Sequence, residues 1–319
     1  MSPFHLPDVD GVVVNRDGGE ALFAAIRSLQ AQKDVDVSIL VVDNGSQASE
    51  RERLAKEAPE ARVVAFSHNL GFAGAVNEAL ARTRSSYVLL LNNDAVVSPD
   101  YVARLAARLS MDPRLAAVQG LVLTGDGRTV DTAGLTWNAR GEALPLLAGT
   151  PAASAPGNAF EVSGVSATAT LYRRDAIDAV STAGHAFDGS FFAYYEDVEL
   201  SLRLWRAGWR FACDPLAIAR HEGGRTGGRT PIKRALWICR NRWRTLWRHF
   251  DARFLLSQLP RLLAADLAHA RTLGWAAPLL PLAIWPRLPF FALSHEGREA
   301  RLAQWPGVVA PELRTKLAG

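Results

Sequence analysis

Hydrophobic positions in the first hundred residues form short continuous runs that alternate with stretches of helical spacing. Continuous apolar runs predict buried strands, and apolar residues recurring every three to four positions predict amphipathic helices. Strands are predicted over residues 11–15, 38–43, 62–66 and 87–91, and helices around 21–30, 49–56, 71–82 and 99–109. This alternation is typical of an α/β fold, in which helices cover both faces of a mostly parallel sheet.

Polar residues follow each of the four predicted strands. They lie in residues 15–17, 43–46, 67–69 and 92–94. The carboxyl ends of parallel strands lie at one edge of a sheet, and ligands bind beyond that edge where the strand order reverses. We therefore expect the functional site at this edge.

The pattern changes after the fourth strand. Residues 124–160 are rich in Gly, Thr, Ala and Pro, which predicts an irregular excursion over one face. It is either part of a binding wall or a plain surface loop. From Val198 apolar residues recur at helical spacing, and Glu199 and Arg203 form an i,i+4 pair, so a further helix is predicted over 198–209.

Composition is that of a globular protein with room for one large core, or one core with an extension. The 319 residues are 49% hydrophobic and 21% charged. Two cysteines make no disulfide framework, and no basic stretch followed by an apolar core opens the chain. Cytoplasmic residence is the expectation.

Charge is distributed unevenly along the chain. Residues 216–319 carry 17 Lys and Arg against 6 Asp and Glu, a balance of +11, although the whole chain has a net charge of only +4. Such a basic segment can attract phosphate-bearing ligands, anionic lipid or nucleic acid, or it can simply be a solvated face.

Seven segments, taken in order, resemble the inverting family-two glycosyltransferases of GT-A fold, particularly the bacterial rhamnosyltransferase-like branch. They are VVVNRDG (12–18), VVDNGS (41–46), NLGFAGAVN (69–77), LLLNNDAVV (89–97), FDGSFFAYYEDVELSLRLWRAGW (187–209), HEGG (221–224) and RNR (240–242). Each is weak alone, and the ordered set is specific. The resemblance implies a Rossmann-like GT-A catalytic domain over residues 1–245 and a helical, apolar and basic C-terminal extension over 246–319.

The resemblance also implies a dTDP- or UDP-linked sugar donor and a Mg²⁺ or Mn²⁺ ion. Asn92-Asn93-Asp94 stands where the family has a DxD motif, so Asp94 is the expected metal ligand and His221 the second. Considered alone, Asp94 could be a helix cap and His221 structural. The implied donor-binding residues are Asn15, Arg16, Asp43, Asn44, Asn69, Gly71, Asn77, Asn92 and Asn93. Taken by itself, VVDNGS is a turn between strand and helix.

Direct displacement by an acceptor hydroxyl needs a base on the sugar face opposite the diphosphate. The resemblance assigns that role to Asp197, with Glu196 orienting the substrate or the loop. The alternative is that both acids merely complement a helix dipole. Tyr194 and Tyr195 are candidates for the wall of a sugar pocket. Candidates for binding diphosphate or an anionic acceptor are Arg225, Arg229, Arg240 and Arg242.

The function implied is sugar transfer to a glycan or lipid-linked acceptor in surface polysaccharide or glycolipid assembly, with no nucleic-acid partner. Residues 254–293 are strongly apolar, are interrupted by aromatic residues and prolines, and have Arg-rich flanks. This pattern suits peripheral contact with a membrane, an oligomer interface or a helical cap. Two alternatives stay open: a sugar-phosphate nucleotidyltransferase, and a catalytically silent, membrane-associated binding module of the same fold.

Overall fold

The computed structural model describes residues 8–223 and 231–273. Its strands are β1 (Val9–Asn15), β2 (Val37–Asn44), β3 (Arg62–Phe66), β4 (Tyr87–Asn92), β5 (Ala95–Val97), β6 (Leu115–Thr124), β7 (Val130–Thr132), β8 (Leu135–Trp137), β9 (Ala143–Pro145), β10 (Phe160–Val162), β11 (Ala169–Arg173) and β12 (Arg210–His221). Its helices are α1 (Glu20–Gln30), α2 (Ala48–Glu57), α3 (Gly71–Leu80), α4 (Tyr101–Met111), α5 (Arg174–Val180), α6 (Glu196–Arg206), α7 (Pro231–His249) and α8 (Ala252–Leu273).

The described strands build a central sheet with the order β10-β12-β6-β11-β4-β1-β2-β3. Strands β1 to β4 are parallel, as the alternating pattern predicts, whereas β11 runs antiparallel between β4 and β6. The chain moves outward from β1 to β3 and then returns to form β4 on the other side of β1. The strand order therefore reverses between β1 and β4, which makes their carboxyl ends the expected ligand-binding crevice.

Side chains of the central strands alternate between two cores, one on each face of the sheet. In β1, Val12 belongs to the core beneath α3 and α6, and Val13 belongs to the core beneath α1 and α4. Both valines are at most 1% exposed. Full burial of such a side chain contributes about 1.5–3 kcal/mol. The mixed α/β architecture, with helices on both faces of the sheet, is confirmed.

Residues 124–160 are more ordered than an irregular excursion. The segment contributes β7, which pairs with β6, and a small two-stranded sheet of β8 and β9. The rest of it is turns and a 3-10 turn at Ala152–Ser154. These short strands hold Asp131 and Ala143 in place, and both residues contact the site described below.

Helix α7 is followed after two residues by α8. The domain boundary predicted at residue 245 falls inside α7, which packs on both α6 and α8. The predicted apolar segment 254–293 is described only in part, as α8, and its remainder lies outside the described residues, as do Arg225 and Arg229.

Gly71 opens α3 at a point where no other residue fits. Its φ is +77°, and a Cβ added there would lie 2.4 Å from the carbonyl oxygen of Phe192. That oxygen accepts a hydrogen bond from the Phe72 amide at 2.6 Å. Close approach of these two backbones fixes the loop before α3 against the segment that precedes α6.

We expect Gly71→Ala to lower the free energy of unfolding by about 2–4 kcal/mol, because it combines a left-handed conformation with a steric overlap. Gly149→Ala is the matched control, since Gly149 also has a φ of +77° but nothing within 4 Å of the added atom. It should cost about 1 kcal/mol. Equal losses for the two variants in urea titrations would show that the contact with Phe192 is unimportant.

Candidate active site

Asn15 ties together the ends of three strands at the crevice. Its Oδ1 accepts hydrogen bonds from the Gly18 amide at 3.1 Å and from Asn93 Nδ2 at 2.9 Å. Its Nδ2 lies 3.4 Å from the Ser46 hydroxyl and 3.3 Å from a Glu50 carboxylate oxygen. Asn15 is fully buried, so its role is to shape the crevice. Its neighbour Arg16 is exposed to solvent.

Asp43 ends β2 as a fully buried carboxylate that is incompletely satisfied. Its Oδ1 accepts from the Ser46 amide at 3.2 Å. Its Oδ2 has no hydrogen-bond partner among the described residues and lies 3.8 Å from the Arg51 guanidinium. An unsatisfied buried acceptor costs about 1–3 kcal/mol. Asp43 therefore retains an acceptor oxygen at the end of β2 that the described residues leave unsatisfied.

Asn44 and Asn69 build the loop that leads into α3. Asn44 donates to Asn69 Oδ1 at 2.9 Å and to the Gly71 carbonyl at 3.1 Å, and it accepts from the Leu70 amide at 2.7 Å. Asn69 Oδ1 also accepts from the Gly71 amide at 2.8 Å. The Asn44 amide and the Oδ1 of Asn69 are thus used within the protein, where they fix the backbone around Gly71 at the crevice.

The structure does not support a donor-binding role for Asn77. Its Nδ2 donates to the Phe187 carbonyl at 2.7 Å, and its Oδ1 accepts from the Phe187 amide at 2.9 Å. Both ends of the amide are thus paired with one peptide far along the chain. The residue fastens α3 to the loop before α6, a role that a polar position in a motif does not reveal.

Asp94 and His221 come together at the turn after β4. Strand β5 pairs with the end of β12, and His221 Nε2 lies 3.1 Å from Asp94 Oδ1. The other imidazole nitrogen, Nδ1, lies 2.8 Å from Asp131 Oδ2. Sequence analysis did not identify Asp131, because a single acid within the short run VDT carries no motif. Asn92 and Asn93 stand beside this group, half-buried at the carboxyl end of β4.

The environment of His221 suits a positive charge. Burial lowers its pKa, but hydrogen bonds to Asp131 and Asp94 outweigh burial and raise the pKa to about 9. The carboxylates of Asp94 and Asp131 thus both contact the His221 imidazole and favour its protonated form. Carboxylate oxygen and imidazole nitrogen are also ligands for Mn²⁺ and related cations, and Asp94 and His221 fit such an ion. Within the described residues, no three His, Cys, Asp or Glu side chains are arranged so that they could hold one metal ion together.

Glu196 and Asp197 begin α6, and both side chains lie in a poorly solvated place. Burial, followed by the charge of Asp197, raises the pKa of Glu196 to about 8, and its Oε2 has no hydrogen-bond partner among the described residues. Burial also raises the pKa of Asp197. Asp197 nevertheless accepts from the Ala167 amide at 3.2 Å and the Val198 amide at 2.8 Å.

One short stretch of backbone links the two acidic groups. The Asn92 amide donates to the Thr168 carbonyl at 2.8 Å, and the Ala167 amide donates to Asp197. Residues 92 and 197 are therefore joined through two consecutive residues of the loop before β11. The carboxylates of Glu196 and Asp94 both raise the pKa of Tyr194, although burial contributes more. Tyr194 lies within electrostatic reach of each acidic group.

The two tyrosines before α6 differ in their surroundings. Tyr195 is buried, packs with Phe191 and Val198, and accepts from the Ala143 amide at 3.2 Å. It belongs to the core and does not form a pocket wall. Tyr194 is half-buried beside Trp237. Both tyrosines have positive φ, at 67° and 69°, a conformation that costs non-glycine residues energy.

Two arginines of α7 that were predicted to bind a ligand make contacts within the protein, and only Arg242 is fully buried. Arg242 is 0% exposed, and its guanidinium pairs with Asp266 at 2.8 Å and donates to the Gly141 carbonyl at 3.1 Å. Arg240 donates to the Phe191 carbonyl at 2.8 Å. Diphosphate has no access to a guanidinium buried in this way. Asn241 lies between these arginines, and the sequence motif RNR gave no indication of a separate role for it.

Known proteins match this chain in sequence family and in fold. The family model of Glycosyl transferase family 2 matches residues 12–180. N-acetylglucosaminyl-diphospho-decaprenol L-rhamnosyltransferase from Mycobacterium tuberculosis is 27% identical over 242 residues, or 69% of this chain and 78% of that protein. Succinoglycan biosynthesis protein ExoO from Rhizobium meliloti is 32% identical over 127 residues, or 39% of this chain and 36% of that protein.

Solved structures share the architecture at low sequence identity. GalNAc-T7 with UDP, GalNAc and Mn²⁺ matches with a TM-score of 0.60 and 13% identity, covering 78% of this chain and 49% of that chain. This chain thus spans about half the length of GalNAc-T7. Mannosyltransferase PcManGT from Pyrobaculum calidifontis, in complex with GDP-Man and Mn²⁺, matches with a TM-score of 0.54 and 16% identity, covering 88% and 75% of the two chains. These likenesses show a GT-A fold.

We expect Glu196→Gln to stabilise the protein at high pH and to have little effect at low pH. A folded-state pKa raised from 4.5 to about 8 means that the stability contributed by protonated Glu196 is present below pH 4.5 and is lost as pH rises through 8. The neutral amide avoids that loss, so the variant should gain about 1–3 kcal/mol over wild type at pH 9. Urea unfolding at pH 5, 7 and 9 measures the difference, and a constant difference would contradict the expected burial of the charge.

Proposed function

This chain belongs to glycosyl transferase family 2 and has the GT-A fold, and from this membership we propose that it transfers a sugar from a dTDP- or UDP-linked donor to an acceptor hydroxyl with inversion. The observation that carries the proposal is the linkage of the Asp94–His221 pair to the Glu196–Asp197 pair through residues 167–168. A cation ligand and a basic carboxylate near one crevice are what displacement of a nucleoside diphosphate requires.

Asp94 and His221 are the residues that would hold Mg²⁺ or Mn²⁺. The bound cation supplies neutralisation of the charge that develops on the leaving diphosphate. Asp131 supports this assignment because it contacts Nδ1 of His221, on the other side of the imidazole ring from Asp94. That contact directs Nε2 toward Asp94. A ligating histidine in proteins usually has such a carboxylate on its second nitrogen. A cation held by these two side chains would leave coordination positions for oxygens of the donor diphosphate.

Asp197 is the proposed base, and Glu196 is the proposed orienting acid. Two close carboxyl groups in a poorly solvated place titrate as a pair, so near neutral pH they share one proton. The two backbone amides that donate to Asp197 favour charge on Asp197. Glu196 keeps the proton and can donate a hydrogen bond to a substrate hydroxyl. Asp197 then accepts the acceptor's proton as its oxygen attacks the anomeric carbon.

Asp43 is the proposed contact for the nucleoside of the donor, since its buried Oδ2 calls for a donor group. A pyrimidine N–H or a ribose hydroxyl supplies one. For the acceptor we propose a lipid-linked glycan, on the precedent of the relative whose name specifies N-acetylglucosaminyl-diphospho-decaprenol. Such a transfer is a step in building surface polysaccharide or glycolipid.

A peripheral contact with the membrane is part of the same proposal. Among the described residues, no helix has the length and hydrophobicity needed to cross a bilayer. Helix α8 nevertheless has a row of exposed leucines at helical spacing, Leu256, Leu259, Leu263 and Leu267, with exposures of 69%, 38%, 48% and 65%. Arg253 and Arg261 are exposed on the same helix. Leucines flanked by arginines suit the surface of an anionic bilayer.

We expect Asp197→Asn to reduce the rate of nucleotide release by about 10²–10⁴-fold, because general base catalysis is worth that much. Donor affinity should be unchanged, since the residue acts on the acceptor. Asp94→Asn should instead weaken Mn²⁺ binding as well as turnover. Asp126→Asn, an exposed acid on the turn between β6 and β7, is the control. Initial rates and calorimetric titration with Mn²⁺ and donor separate these effects.

The outcomes decide between the proposal and its alternatives. Full activity in Asp197→Asn would remove that residue as the base. Donor binding by wild type without any nucleotide release, across glycan and lipid-linked acceptors, would leave a binding module of the same fold. Formation of a nucleotide sugar from sugar phosphate and nucleoside triphosphate would identify a nucleotidyltransferase.

We expect the protein to float with vesicles containing phosphatidylglycerol and not with vesicles of phosphatidylcholine alone. Leu256→Gln with Leu263→Gln should weaken vesicle binding by about tenfold or more, because each leucine loses its transfer into the bilayer. Leu216→Gln is the matched control, since Leu216 is 54% exposed on β12 and lies outside α8. Equal flotation of all three proteins would contradict the role of α8.

A further inference from the structure

An aromatic cluster lies next to the acidic pair of α6. The ring of Trp237, on α7, has its centroid 5.2 Å from that of Phe192, with an angle of 42° between the planes. It is 6.4 Å from the ring of Tyr194, with an angle of 31°. All three side chains are half-buried, so the cluster retains surface that solvent or a ligand can reach. We call Phe192, Tyr194 and Trp237 the aromatic shelf.

The shelf lies beside the proposed chemistry. Tyr194 precedes Glu196 by two residues, and it is influenced by the charges of both Glu196 and Asp94. A ligand that rests on the shelf would therefore lie near the start of α6, where Asp197 is proposed to receive the proton. No residue of the shelf is needed for donor binding as proposed above, which depends on Asp43, Asp94 and His221.

Three side chains of α7 border the aromatic shelf. Trp237 is part of the shelf, Asn241 holds its backbone and is called the clamp, and Arg234 carries a positive charge. Trp237 and Asn241 are four residues apart, and Arg234 is three residues before Trp237, so the three side chains lie on one side of the helix. Asn241 Nδ2 lies 2.9, 2.9 and 2.7 Å from the carbonyl oxygens of Phe191, Ala193 and Tyr194. Arg234 is exposed, with its guanidinium 5.4 Å from the centre of the Tyr194 ring.

The clamp makes the shelf rigid. Phe192, Tyr194 and Tyr195 all have φ between 66° and 69°, in the left-handed region that residues with side chains disfavour. Asn241 is fully buried and holds the carbonyl groups of this segment, which keeps the strained conformation in place. The orientation of the rings is thus set before any ligand arrives, which reduces the entropy lost on binding.

We propose that the aromatic shelf binds the sugar ring of the acceptor, with Trp237 as its platform, and that Arg234 binds a phosphate or diphosphate group attached to that sugar. The C–H face of a pyranose packs well on an indole ring, because one side of the sugar is apolar and aromatic surfaces are large and rigid. A guanidinium matches phosphate oxygens in charge and geometry. This inference rests on the proposed function and names the acceptor class of the same site.

Two short-chain acceptor probes test the two parts separately. One is an alkyl N-acetylglucosaminyl diphosphate, and the other is the alkyl N-acetylglucosaminide without the diphosphate. We expect Trp237→Ala to raise KM for both probes by about tenfold or more, and Trp237→Phe to restore part of the loss. Arg234→Gln should raise KM about tenfold for the diphosphate probe only. The dissociation constant of the donor should be the same in all variants.

Matched controls come from elsewhere in the chain. Trp209→Ala removes a half-buried tryptophan just after α6, and Arg27→Gln removes an exposed arginine of α1. Neither should change KM for either probe. A folded Trp237→Ala protein with unchanged KM for both probes would overturn the platform, and an equal effect of Arg234→Gln on both probes would overturn the anion site.

Failure of the proposed function is distinguishable from failure of this inference. If wild type releases no nucleotide with any donor, the transferase proposal fails, whereas an active wild type whose KM is insensitive to Trp237 overturns the shelf alone. Saturation-transfer NMR gives a second readout that needs no turnover. Transfer to the sugar protons of both probes should be strong for wild type and lost in Trp237→Ala, and equal transfer in the two proteins would contradict the proposal.

Discussion

Two consecutive peptide groups in the loop before β11 connect the halves of the crevice. The carbonyl of Thr168 receives the amide of Asn92, and the amide of Ala167 reaches the carboxylate of Asp197. The first contact extends the pairing of β4 with β11 by one residue, and the second fixes the start of α6. The amide of Ala167 thus holds the carboxylate of Asp197 against the same loop that pairs with the end of β4. The positions of the proposed base and the proposed cation ligand are therefore coupled by the fold.

The antiparallel half of the sheet makes this coupling possible. Strand β11 runs back between β4 and β6, so the loop before β11 arrives at the carboxyl end of β4. Strand β12 is parallel to β6 and ends at His221, after an irregularity between Asp214 and Ile218. Its last residues pair with β5, which places His221 against Asp94. The parallel strands form the edge of the sheet that is proposed to bind the donor. The other strands of the sheet position His221 and the start of α6.

The parallel half was predictable from sequence because its information is local. Apolar runs of β1 to β4 and the spacing of the intervening helices indicate their limits to within two residues, and the strand ends identify the crevice. Strands β6 and β11 were not predicted, since their places depend on pairing with distant segments. The same limit applies to side chains. A motif asparagine such as Asn77 has the composition of a ligand group, but its amide pairs with Phe187, which lies 110 residues away. Asp131 is the converse case, an inconspicuous acid that the β6–β7 pairing delivers to His221.

Unfavourable local features of this protein collect around the crevice, and their distribution has a physical meaning. Asp43 and Glu196 each bury a carboxylate oxygen without a hydrogen-bond partner in the described part of the chain, and the segment before α6 holds several residues in a left-handed conformation. Each feature opposes folding by about 1–3 kcal/mol, so the surrounding contacts must outweigh them. The buried apolar side chains on both faces of the sheet outweigh this cost, and contacts with Asn241 and with the backbone at Gly71 fix the strained segment. A ligand that hydrogen-bonds to Asp43 or Glu196 would satisfy a group that the described part of the protein leaves unsatisfied. If the crevice binds as proposed, part of the binding energy comes from this unmet hydrogen-bonding capacity, which the surrounding fold holds in place.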